Sequence, residues 1–156
     1  APAGRNIIVD NGGDVFIMSD QVRVISLFAG PAGLAQQLAF RVTPERCPVA
    51  ICSSSAVMGH SKSFGKADLV TVVAADGALA DAAATALCNR VRNLEHIDPT
   101  LQAGIEIPGV QGVLIVLGDR VGMIGDLPEL VRNCDDGASS KITRNYIGTI
   151  DFSESL

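Results

Sequence analysis

No basic run interrupts this chain. Its 12 Lys and Arg stand against 17 Asp and Glu, a formal net charge of −5. Duplex nucleic acid, which proteins hold largely through phosphate contacts, is therefore not an expected partner. No apolar stretch reaches the length of a membrane span, and no signal-peptide pattern is present. A cytoplasmic location with no membrane partner is expected, although a mature chain that has shed its signal reads the same way. The four cysteines (Cys47, Cys52, Cys88 and Cys134) form no CxxC pair and no zinc-ligand spacing. Free or buried thiols are expected rather than disulfides. The Walker pattern GxxxxGK[ST] fails around Gly59 to Ala67, which removes the common phosphate-binding loop. An initiating Met is lacking too: the chain opens APAGRNIIVDNGG and enters a strand almost at once. The expectation is a piece of a longer protein.

What is present suits one globular domain over residues 1–156, with 47% hydrophobic and 19% charged residues. Asn6 to Asp10 and Asp14 to Met18 read as strands around Asn11-Gly12-Gly13, a strong hairpin signal because these residues accept positive φ. Gln21 to Phe28 alternates as a half-buried strand does, and Gln37 to Val42 is expected as another, giving an antiparallel meander over the first third. Ile51 to Val91 is the central stretch. It reads as a polar loop over Ser53 to Asp68, a strand over Leu69 to Ala75 broken by Gly77, and an alanine-rich helix over Ala78 to Val91. Beyond it come a short helix over Asp98 to Ala103 with Asp98 as cap and Pro99 first, and a hairpin of Val113 to Leu117 with Arg120 to Ile124. A short strand or turn over Leu127 to Val131, a loop over Asn133 to Ser140 and an edge strand in KITRNYIGTI complete the chain. The class is α+β, with mixed or antiparallel strands against few helices.

On the central helix Asp81 and Thr85 lie four residues apart and share a face. A carboxylate and a hydroxyl on adjacent turns can give two oxygen ligands to a hard cation such as magnesium. They equally fit a first-turn carboxylate that offsets the helix dipole and a small core residue. The loop residues Ser53, Ser54, Ser55, Gly59, Ser61, Ser63, Gly65, Lys66 and Asp68 can wrap an anion through amides and hydroxyls, with Lys62 and Lys66 adding charge. A solvent-facing loop of turn formers has the same composition. His60 suits an acid, a base or a phosphate ligand, or simple exposure; His96 is given no role. Asn11, Gly12, Gly13 and Asp14 can let backbone approach a ligand, or serve only as a hairpin. Cys52 is either a reactive thiol or a packed one, and packing is the expectation.

Taken together, NIIVDNGGDVFI, ICSSSAVMGHSKSFGKADLVTVVA and LADAAATALCNRV resemble a prokaryotic family of unknown function in the ApbE superfamily. The characterised members of that superfamily are FAD:protein FMN transferases. The likeness runs through GVLIVLGDRVG and LPELV near the end. It implies an ApbE-like domain that lacks an N-terminal segment of strands and a helix. It implies magnesium on Asp81 and Thr85, and FAD or FMN beside Asn11 to Asp14. The transferases also carry an Asp-Pro-Thr-Gly loop after a histidine. Here GHSKSFGKAD keeps His60 without that loop, which puts transfer of FMN to a protein threonine in question while a flavin or other nucleotide ligand stays implied. Members of the family are further linked to sulfide assimilation and homocysteine formation in anaerobes. Two functions are thus expected in competition, with a structural subunit packing its glycine- and alanine-rich surfaces on a partner chain as a third, blander option. One is a magnesium-dependent enzyme on FAD or another nucleotide diphosphate, with His60 catalytic. The other is a non-catalytic ligand-binding or accessory protein of sulfur assimilation, with Cys52 as its sulfur handler. A homodimer is expected in either case, because a missing segment would leave apolar surface to cover.

Overall fold

Residues 11–13 cannot continue a strand, since Gly12 and Gly13 take φ of 68° and 120°. They fold β1 (Ile7–Asp10) back on β2 (Asp14–Met18) as an antiparallel hairpin. The computed structural model describes residues 4, 6–27, 37–56 and 65–132, with the backbone of 141–143 and 148–151. Within it follow β3 (Arg23–Ser26), β4 (Leu38–Val42), β5 (Val49–Ser54), β6 (Leu69–Ala74) and the helix α1 (Gly77–Cys88). The second half adds α2 (Ile97–Ile105), β7 (Val110–Leu117), β8 (Arg120–Gly125), β9 (Glu129–Arg132), β10 (Lys141–Thr143) and β11 (Gly148–Asp151).

The strands form two sheets, ordered β1-β2-β5-β6-β7-β8-β11 and β10-β9-β4-β3. Every pairing among them is antiparallel. The fold is α+β, as expected. The single meander expected over the first third needs correction, because β3 and β4 leave the first hairpin for the smaller sheet. Leu38, Phe40 and Val42 alternate onto one face of β4 and are fully buried, so that face needs cover. Packing of the smaller sheet face to face on the larger one supplies it.

The larger sheet is therefore covered on both sides. Val49 and Ile51 of β5, with Leu69 and Val73 of β6, pack toward Phe40, Val42 and Leu130 of the smaller sheet. Ala50, Cys52, Val70, Val72 and Ala74 point the other way, onto Ala80, Ala83, Ala84 and Leu87 of α1. Alternate residues thus feed two cores, which is why β6 is buried at all six positions and reads as an uninterrupted apolar run. The small alanines of α1 bring that helix close to β5 and β6, while α2 packs on β7 and β8. Among the described residues no helix is long and apolar enough to cross a membrane.

Several boundaries differ from expectation; α1 ends at Cys88 rather than Val91, and β7 begins at Val110 rather than Val113. The chain Val49–Ser54 is a strand, so Ser53 and Ser54 do not belong to a loop. Their side chains are small enough for a pleat, and the apolar VAIC run that precedes them carries the pairing forward. Gly77 begins the helix rather than only ending the strand. Asp76 is the N-cap, its Oδ1 accepting from the Leu79 amide at 3.1 Å. The helix α2 starts at Ile97 rather than Asp98, so Pro99 is its third residue, where a missing N–H costs no intrahelical bond.

Candidate functional site

The site is built where the first hairpin meets the central helix. Asp14 opens β2 and stands directly opposite Cys52 of β5. Val15 and Ile17 point into the core between the sheets. By alternation Asp14 faces the other way, toward α1. The turn before it is tied to β5, the Ser53 amide donating to Gly13 O at 3.0 Å. The first helical turn closes the site from above. The Cys52 thiol lies 3.6 Å from Gly77 O, to which it donates.

Asp14 carries the electrostatic strain of the site. Its Oδ1 is buried and has no hydrogen-bond partner among the described residues. Burial pushes its pKa up, and the nearby Asp81 charge pushes it further, with a smaller contribution from Asp10. The Cys52 thiol and the Ser53 amide act in the opposite sense without cancelling the rise. Cys52 is pushed up to about 12, first by burial and then by the charges of Asp14 and Asp81. It is a protonated thiol at neutral pH, and among the described residues neither Cys47 nor Cys88 is in a disulfide.

Asp81 and Thr85 are both exposed on α1, beside the buried row Ala80, Ala83, Ala84 and Leu87. Asp81 is the fifth helical residue, past the first turn, so it is not an N-terminal dipole partner. Nor is Thr85 a core residue. What remains of the alternatives for this pair is a carboxylate and a hydroxyl presented on one open flank. Among the described residues no three His, Cys, Asp or Glu side chains converge into a metal centre. A cation at Asp14, Asp81 and Thr85 would need water or a ligand oxygen to complete its shell, which is how magnesium is commonly held.

The other expected site residues divide. Asn11 to Gly13 form the turn beside Asp14, with the Gly12 amide bound to Asp10 Oδ1 at 3.0 Å. Ser53 turns its hydroxyl away, to Thr71 Oγ1 at 2.8 Å on the opposite face of the sheet. Only its backbone reaches the site. Ser54, by the same alternation, lies on the helix side. Gly65 and Lys66 stand at the far end of α1, where the Lys66 amide donates to Val91 O at 2.7 Å. A Cβ on Gly65 would run into the Cys88 carbonyl. Asp68 is occupied with the β7–β8 turn, its Oδ2 accepting from the Gly118 amide at 2.7 Å. Gly59, His60, Ser61, Lys62 and Ser63 lie outside the described residues. The pairing of Asp14 with Cys52 carries no local sequence signal, because it joins two strands 38 residues apart whose register only the sheet sets.

A family model described as AbpE bacteria matches residues 1–119. Relatives of similar sequence are methanogen proteins called UPF0280. That of Methanocaldococcus jannaschii is 42% identical over 133 residues, which cover 82% of this chain and 54% of the relative. That of Methanoculleus marisnigri is 45% identical over 125 residues, 80% of this chain and 50% of the relative. For Methanococcus aeolicus the figures are 33% over 148 residues, 92% and 58%. The chain thus spans about half the length of the curated relatives it matches.

Proposed function

The chain belongs to the AbpE bacteria family, and we propose that it contributes a magnesium site to an enzyme acting on FAD or another nucleotide diphosphate. One observation carries the reading: a buried carboxylate oxygen of Asp14 with no donor among the described residues, on the side of a second carboxylate, Asp81. Two like charges held together near a sheet surface are costly unless a cation is shared between them. The donor set is oxygen only, which suits a hard cation over zinc or iron. Asp81 and Thr85 would be its helix ligands, as the family resemblance implies, and Asp14 would be a ligand from the sheet. When bound, magnesium neutralises phosphate charge and polarises a phosphoanhydride.

The remaining steps fall to the chain's own groups. The Asn11 to Gly13 turn has no side chain at two positions, so a flat ligand can approach backbone there. Ser54 and Ser55 can donate to phosphate oxygens where β5 ends, and His60 keeps its proposed acid or base role. A flavin or nucleotide partner, a homo-oligomer and a cytoplasmic location belong to the same proposal.

The test is to mix the protein with FAD and magnesium and follow binding by flavin fluorescence and products by chromatography. Magnesium-dependent release of FMN and AMP, lost in Asp81→Asn, is the expected result. Binding without cleavage would favour the ligand-binding alternative. Unchanged magnesium affinity in Asp81→Asn would sink the metal assignment itself. Nothing at Cys52 supports the sulfur-handling version of that alternative, since a buried thiol held near pKa 12 is a poor nucleophile.

A further inference from the structure

The far end of α1 has the opposite electrostatic character from its first half. After Cys88 the chain runs Asn89-Arg90-Val91-Arg92, with Val91 fully buried and both arginines exposed on either side of it. With His96, Pro99 and Thr100 from the start of α2, these residues line a cleft of about 400 Å³. Lys66 is held alongside, because its amide is bonded to the Val91 carbonyl between the two arginines. Glu95 and Asp98 interleave with this segment in sequence but do not line the cleft. Neither Arg90 nor Arg92 has a carboxylate partner among the described residues, whereas Arg41 and Arg46 are tied to Glu129 and Asp126 at 3.6 and 2.7 Å.

An acidic chain with a net charge of −5 thus gathers, at one concave place, two arginines that have no carboxylate partner among the described residues. His96 adds a directed donor. Its Nδ1 accepts from the Arg92 amide at 3.2 Å, which leaves Nε2 as the proton-bearing nitrogen. Two guanidinium forks and an imidazole N–H match the oxygens of a phosphate group better than a single carboxylate. The cleft is separate from the carboxylate site, since Asp81 and Cys88 are about 10 Å apart along the helix axis.

We infer that the Arg90–Arg92–His96 cleft is a second ligand site, which takes the phosphate group of a small molecule. The competing explanation is that the arginines only offset the negative end of the α1 dipole. Titrating the full protein with inorganic phosphate, then acetate, in EDTA and followed by amide and imidazole NMR, separates the two. Saturable shifts at Arg90, Arg92 and His96, at least tenfold tighter for phosphate than acetate and weakened tenfold or more in Arg92→Gln, are expected. Equal response to both anions, shifts spread over the surface, or wild-type phosphate affinity in Arg92→Gln would overturn the site. Arg90→Gln, also at an exposed position, serves where Arg92→Gln does not fold. Competition by a phosphate monoester then tells a metabolite from the free ion: displacement at lower concentration assigns the ester, and weaker displacement assigns free phosphate.

Discussion

Asp14 and Cys52 are paired directly across β2 and β5, so a carboxylate and a thiol share one small, partly dry space beneath the start of α1. Each makes ionisation of the other harder, and Asp81 adds to both effects. The result is a site that holds negative charge poorly by itself. It is poised to gain from any cation that enters.

The raised pKa of Asp14 has a definite sign for stability. Between its unfolded value near 3.8 and the higher folded one, the folded state keeps a proton that the unfolded state has lost. Stability contributed by this group is therefore full below 3.8 and falls as pH rises through the folded pKa. Asp14→Asn should stabilise the metal-free protein at pH 7. A rise of 2–4 °C in Tm corresponds to about 1 kcal/mol for a chain of this size. At pH 3 the difference should vanish. Calorimetry at both values in EDTA checks it, and a destabilised variant at pH 7 would show that the carboxylate is satisfied after all.

Magnesium should reverse that order. Ligand binding to the folded state raises stability by RT ln(1 + [L]/Kd), about 2.7 kcal/mol at a hundred times Kd. The wild type should therefore gain Tm with added magnesium, whereas Asp14→Asn and Asp81→Asn gain little. Calcium, which accepts looser oxygen shells, provides the comparison. Equal gains in all three proteins would place the cation elsewhere.

Cys52 should be inert to alkylation in the folded protein. At pH 8 a thiol near pKa 12 is ionised to about one part in ten thousand, against roughly a quarter for an ordinary exposed cysteine. Ionisation alone slows labelling by about three orders of magnitude, and burial slows it further. Iodoacetamide at pH 8 with peptide mapping should mark Cys52 only after unfolding. Rapid labelling of Cys52 in the native state would return it to the list of reactive groups.

Much of this arrangement was legible in the sequence. The Asn11-Gly12-Gly13 turn, the strand at Leu69 and the helix carrying Asp81 and Thr85 each follow from local patterns, where composition and period agree. The two-sheet layering was not, since nothing local tells β4 to pair with β9 rather than β2. Ser53 misled for a similar reason. A run of serines looks like a loop until its cross-strand partner, Thr71, is known to take the hydroxyl. The cleft at Arg90 and Arg92 was hidden because its wall comes from α2, and His96 reads as unremarkable in isolation.

The cap of α1 offers a test of how the helix supports the site. Asp76 Oδ1 accepts from the Leu79 amide at 3.1 Å, one of the few constraints on the first turn. Asp76→Ala should cost about 1 kcal/mol of stability, the usual value of such a cap. Because Gly77 O receives the Cys52 thiol and Asp81 lies one turn on, fraying there should weaken magnesium binding as well. Urea denaturation gives the first quantity and calorimetric titration the second. A variant that loses stability but keeps magnesium affinity would separate the cap from the site.

Gly104 fixes how closely α2 can approach α1 and the sheet. A Cβ placed there would fall 2.8 Å from Leu87 Cδ1 and 2.9 Å from Val113 Cγ2, both in the buried core. Helix propensity alone favours alanine over glycine at such a position by about 1 kcal/mol. Overpacking a filled core typically costs about 1–3 kcal/mol, because side chains must leave their rotamers or the helix must shift. The second effect should win, since Leu87 and Val113 are both fully buried and their methyl ends can yield only by displacing other core side chains. Gly104→Ala is expected to lower the urea midpoint despite its better propensity. Combining it with Leu87→Ala, which opens the space, should recover part of the loss; strict additivity of the two would mean that the glycine serves some purpose other than close packing.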